Sequence, residues 1–157
     1  MNYTNIFNIR NCIMLFTLAG LISCESDEYP FKTIQPVTIA ESQLNGAGAE
    51  GIEKQNLVIT NTADWYSLIR RMDSSMSIIY YFKESDIDFS EYTVLASFDE
   101  VRSSGGYKVR ISKVVEYSGS INCTVEYESP TGIVTANLNQ PFHIVKIPKS
   151  NKQIVFN

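Results

Sequence analysis

Residues 107–127, YKVRISKVVEYSGSINCTVEY, constrain the fold more than any other part of the chain. Tyr107, Val109 and Ile111 alternate with Lys108, Arg110 and Ser112; after a turn over 116–120, Ile121, Cys123, Val125 and Tyr127 alternate again. A period of two sends successive side chains to opposite faces, so both segments read as strands with one buried face. Of the three cysteines, Cys12 and Cys24 sit near the amino terminus, leaving Cys123 without an intramolecular disulfide partner. The domain is therefore held by packing rather than by cross-links.

The remaining segments follow the same logic. Asn61 or Thr62 caps a helix over about residues 62–72, with Asp64 in its first turn and Arg70 and Arg71 in its last. Its Trp65, Leu68, Ile69 and Met72 repeat at i, i+3, i+4 and i+7, one apolar stripe. LVIT (57–60), YTVLASF (92–98), PFHIVKIP (141–148) and KQIVFN (152–157) read as strands. So do the apolar, β-branched runs SIIYYF (77–82) and IVTANLN (133–139), while NGAGAEG (45–51) reads as a loop. The expected class is α+β and β-rich: an antiparallel sheet or small barrel with one packed helix.

The first 24 residues have a different purpose. Arg10 and the terminal amine precede an apolar run, Cys12 to Ile22, which is too short to span a bilayer and ends in Leu21-Ile22-Ser23-Cys24. That ending resembles the bacterial lipobox, in which the cysteine is lipidated and the peptide before it removed. Residues 1–23 are then a lipoprotein signal peptide, 24–40 an acidic, proline-containing tether, and 41–157 the folded domain. Lipidation at Cys24 anchors the chain to a membrane without spanning it. Glu25, Asp27 and Glu28 behind the cysteine resemble the surface-export tags of Bacteroidota lipoproteins, and equally fit a solvated linker. The expected location is the outer membrane, facing the periplasm or the cell surface. Losing Arg10 and no acid, the mature chain carries 12 basic and 17 acidic residues, which argues against nucleic acid as a partner.

No constellation carries catalytic chemistry. His143, the sole histidine, lies in the strand-like PFHIVKIP, and Ser103 or Ser104 with Asp99 falls in DEVRSSGGY, which lacks a nucleophile elbow. One histidine and one thiol do not make a zinc site. Glu84, Asp86 and Asp88 have the spacing of a calcium loop but neither its glycine nor its bidentate glutamate. Cys123 faces inward by alternation and has no neighbouring base. No catalytic residue, metal or cofactor is assigned. Gly105-Gly106 ahead of an alternating strand marks a tight loop, read locally as a hairpin or bulge.

Several separated pieces align with one family. Asp64-Trp65, Asp88-Phe89, Gly105-Gly106-Tyr107, Pro130 with Gly132, and Pro141 to Val145 followed by Ile147-Pro148 resemble, in order, the C-terminal domain of the PrcB protease-complex subunit family. The resemblance covers roughly residues 41–157. Ser104 stands where that family often has threonine, Thr131 separates Pro130 from Gly132, and Gln140 replaces an expected threonine. The resemblance implies a non-catalytic accessory lipoprotein that binds and stabilises a secreted or surface protease. It also implies that the loop at Ser104, Gly105, Gly106 and Tyr107 serves either a packing or a partner-docking surface. The alternative is a glycan- or peptide-binding lipoprotein using Tyr29, Phe31, Tyr80, Tyr81 and Tyr117 as a stacking platform. An enzyme built on His143 and a serine ranks below both.

Overall fold

The computed structural model describes residues 31–157; Cys24 and the segment before it lie outside the described residues. Eight strands and one α-helix follow in the order β1 (Lys32–Ile34), β2 (Val37–Leu44), β3 (Gln55–Ile59), α1 (Thr62–Met72), β4 (Tyr92–Phe98), β5 (Lys108–Glu116), β6 (Ser120–Glu128), β7 (Gln140–Pro148) and β8 (Gln153–Phe156). They form two four-stranded sheets, β1-β5-β6-β8 and β2-β7-β4-β3. Every pairing is antiparallel except β6 with β8, which is parallel. The sheets stay separate, so the barrel alternative is not adopted.

The β2-β7-β4-β3 sheet is the middle layer, which explains its composition. Residues Thr93–Phe98 of β4 and Gln140–Val145 of β7 are all buried, because both faces of this sheet are covered. Val94, Ala96 and Phe98 of β4 pack with Phe142 and Ile144 of β7 and with Trp65, Leu68, Ile69 and Met72 of α1. Leu95, Val145 and Ile147 face the other way and meet Ile34, Ile111, Val114, Ile121 and Cys123 of the second sheet. The molecule is thus layered helix, sheet, sheet. Helix α1 has the bounds its sequence pattern predicts: the Asn61 side chain accepts the Asp64 N–H at 3.0 Å, and the Trp65 indole donates to the Ser85 carbonyl at 2.8 Å.

Three expectations are corrected. Within the segment 24–40, expected as a tether, Lys32–Ile34 is a strand and Val37–Leu44 begins another, with Ile34, Ile39 and Ala40 in the core. Gln35-Pro36 only turns the chain from one sheet to the other, a corner where a missing N–H costs nothing. SIIYYF is not a strand: Ile79–Tyr81 forms a 3₁₀ turn that follows α1, buries Ile78, and leads to Lys83, whose N–H caps the edge of β2 at the Ile39 carbonyl (2.9 Å). IVTANLN is a loop, with one isolated bridge between Asn139 and Arg102.

Candidate partner-docking loops

The glycine loop and the loop before β7 form one unit. Arg102 and Asn139 exchange backbone hydrogen bonds of 2.7 and 3.0 Å, and the Gly105 N–H donates to the Thr135 carbonyl at 3.0 Å. The buried Asn139 amide donates to the Ser104 carbonyl at 2.9 Å and the Asn137 carbonyl at 3.1 Å. The glycines are needed for this approach. A Cβ on Gly105 would lie 3.1 Å from Thr135 Oγ1; on Gly106, whose φ is +87°, it would lie 2.7 Å from Pro130 Cβ. Ser104, Gly105 and Gly106 therefore brace the 129–139 loop. The Gly105 N–H is used within this brace.

An ionic cluster anchors the base of this unit. Asp99, buried at the end of β4, takes a two-pronged contact from Arg102 (Nε to Oδ2 2.8 Å, Nη2 to Oδ1 3.1 Å) and a third from Lys54 Nζ at 3.2 Å. Burial works to raise the Asp99 pKa, but the Arg102 hydrogen bonds, the Glu100 N–H and Lys54 together hold it below the usual carboxylate value. The Arg102 guanidinium also sits 4.5 Å from the Tyr107 ring centre, and Lys54 sits 4.0 Å from that of Tyr127. Gln140, the residue in the unexpected position, donates from one amide nitrogen to the Ile52 and Asp99 carbonyls, both at 2.8 Å.

What this scaffold presents is apolar. Ile133 is fully exposed at 105%, Leu138 is 53% exposed, and Val134 and Val101 are also solvent-facing. Apolar side chains grouped on or beside one braced loop make it the candidate docking surface. Sequence reasoning missed them because IVTANLN has strand-like composition; the turn residues Pro130 and Gly132 were the available signal that the chain leaves the sheet here.

The other candidates are tied into structure. The His143 Nδ1 accepts the Ile111 N–H at 2.9 Å, leaving Nε2 to donate to Thr38 Oγ1 at 3.2 Å. Both ring nitrogens are engaged, and Asp99 is held by Arg102 and Lys54, so no triad with Ser103 or Ser104 is assembled. Glu84 pairs with Lys146, and Asp88 accepts from the Ser90 N–H and hydroxyl, closing the turn into β4. Cys123 is buried, and desolvation pushes its thiol up to about 11. Phe31 and Tyr117 are exposed with ring centres 6.4 Å apart, beside an open hollow of about 330 Å³ that Lys32 and Lys152 also line. Tyr80 and Tyr81 are exposed on the 3₁₀ turn, and Tyr29 lies outside the described residues.

Residues 93–148 match the family model described as PrcB C-terminal. This span runs from β4 to the end of β7 and contains the glycine loop, the Pro130–Gly132 turn and PFHIVKIP; Asp64-Trp65 and Asp88-Phe89 lie before it. No curated protein and no solved structure gives a match.

Proposed function

From the match of residues 93–148 to the PrcB C-terminal family model, we propose that the chain is a non-catalytic accessory lipoprotein. It is anchored through Cys24 at the outer membrane, facing the periplasm or the cell surface, and binds and stabilises a protease there. The observation that carries the docking site is the pair Ile133 and Leu138, exposed on a loop that Gly105, Asn139 and Arg102 hold in place. A preformed apolar surface binds without first losing loop entropy, which favours affinity. The engagement of both His143 nitrogens supports a non-catalytic role.

The test is to crosslink cells briefly, isolate the full-length chain with its lipid, and identify by mass spectrometry what accompanies it. One dominant peptidase is expected, lost with Ile133→Glu/Leu138→Glu and reduced when Cys24→Ala releases the chain from membranes. A peptidase whose capture and abundance do not change when the two apolar residues are charged would refute the docking surface. Recovery of Cys24→Ala in the membrane fraction at the wild-type level would refute the anchor.

A second reading rests on the Phe31–Tyr117 pair beside its hollow, a geometry suited to stacking a sugar ring. Glycans are the ligands to screen by thermal shift. A ligand at 100 times its dissociation constant adds about 2.7 kcal/mol of stability, and Tyr117→Ala should remove that gain.

A further inference from the structure

Among the described residues, strand β3 has only one strand neighbour, β4. Along the far side of β3 every second residue directs its N–H and C=O away from β4, a row of groups ready to pair with another strand. The other sheet edges are protected. The 3₁₀ segment reaches β2 through Lys83, β1 is three residues long and begins with Lys32, and β8 is four residues long. Strand β3, Gln-Asn-Leu-Val-Ile, carries no charge or proline, and Val58 is 42% exposed at the sheet margin.

A groove of about 220 Å³ runs along this edge on the helix side, lined by Leu57 and Ile59 of β3 and by Asp64, Leu68 and Arg71 of α1. Asp64 and Arg71 lie at opposite ends of the helix, about 10 Å apart along its axis. The edge therefore has apolar residues in the middle, an acid at one end and a base at the other. A two-fold axis perpendicular to the sheet would lay β3 antiparallel to a copy of itself and keep both helices on one face, running in opposite directions. Asp64 then faces Arg71 of the partner subunit, and the same contact recurs on the other side. A surface complementary to itself in strand direction, apolar content and charge is what an isologous contact requires.

We infer that the chain forms a homodimer through β3 and α1, joining two four-stranded sheets into one of eight strands. The 129–139 loop takes no part, so two copies of the protease-docking surface are presented per dimer, and neither idea depends on the other.

The experiment measures the protein mass of the full chain in detergent by light scattering, with the detergent and lipid contributions subtracted. Three variants are compared: Val58→Lys, Asp64→Arg, and Asp64→Arg combined with Arg71→Asp. Wild type should have twice the 17.7 kDa chain mass, less any signal peptide removed. Val58→Lys should be monomeric, since a lysine on an exposed edge blocks strand addition without disturbing the monomer. Asp64→Arg should weaken the dimer roughly tenfold by replacing two attractions with repulsions, and the double exchange should restore it. Circular dichroism on each variant checks that α1 survives. A monomeric wild type overturns the inference, as does a dimer unaffected by Val58→Lys. With α1 intact, a double exchange no better than Asp64→Arg overturns it too. Should residues 25–30 or a different protein occupy β3 instead, wild type is monomeric by this measure.

Discussion

His143 joins two irregularities, one in each sheet. The β5–β6 ladder shifts register between Ile111 and Lys113, the β2–β7 ladder between Thr38 and Ala40, and the imidazole bonds one residue at each shift. Burial pushes its pKa below the ordinary histidine value; Glu41 opposes this, and Arg110 and Lys83 add to it. With the folded pKa below the unfolded one, the unfolded chain takes up the proton first. The contribution is complete above about pH 6.5 and declines as pH falls below it. Urea midpoints should therefore drop on acidification through this window, before the carboxylate of Asp99, whose pKa is lowered, gives up its own contribution below its ordinary value of 3.8. His143→Asn keeps an acceptor for the Ile111 N–H and should be flatter from pH 6.5 to 5; an unchanged slope would assign the loss to other groups. His143→Phe leaves that N–H unpaired and should cost about 1–3 kcal/mol. Cys123, with its thiol pushed up to about 11, should resist iodoacetamide in the folded chain and react in guanidinium, as peptide mapping would show.

At the level of elements, the glycine loop and its neighbour should fail together. Gly106→Ala places a methyl 2.7 Å from Pro130 at a positive φ, and a loss of about 1–3 kcal/mol is expected, with faster amide exchange across 129–139. Ile133→Glu, by contrast, should leave stability within about 0.5 kcal/mol of wild type, because none of the described residues covers that side chain. Truncating Trp65 to Ala removes a fully buried ring and its bond to Ser85, and about 3–5 kcal/mol should go with it. Local pattern made α1 and the 107–128 strands legible, since their own neighbours in sequence set the period. It failed where the deciding contact is distant. SIIYYF has strand chemistry but is needed as a turn beside α1, and TIQPVTIA looks like linker until β5 and β7 are there to pair with it. The motif Gly-Gly-Tyr marked a tight loop, and the contacts that explain its glycines are again distant in sequence: they brace a second loop, which exposes Ile133 and Leu138.

Across the whole molecule, burial on both faces of the middle sheet makes that sheet the stable centre, with the helix and the outer sheet depending on it. Native-state exchange should then rank β4 and β7 as the slowest segments, ahead of β1 and β8, which lie at the edges of the outer sheet. Equal protection in all eight strands would argue against this hierarchy. The early start of β1 has a mechanical consequence for the proposed anchor. Only residues 25–31 separate Cys24 from Lys32, and seven residues reach at most about 25 Å when fully stretched. A domain on so short a leash stays close to the lipid surface. Its search for a partner becomes a two-dimensional one, confined to proteins that pass within that height of the bilayer, and a longer leash would widen the reach while diluting each encounter.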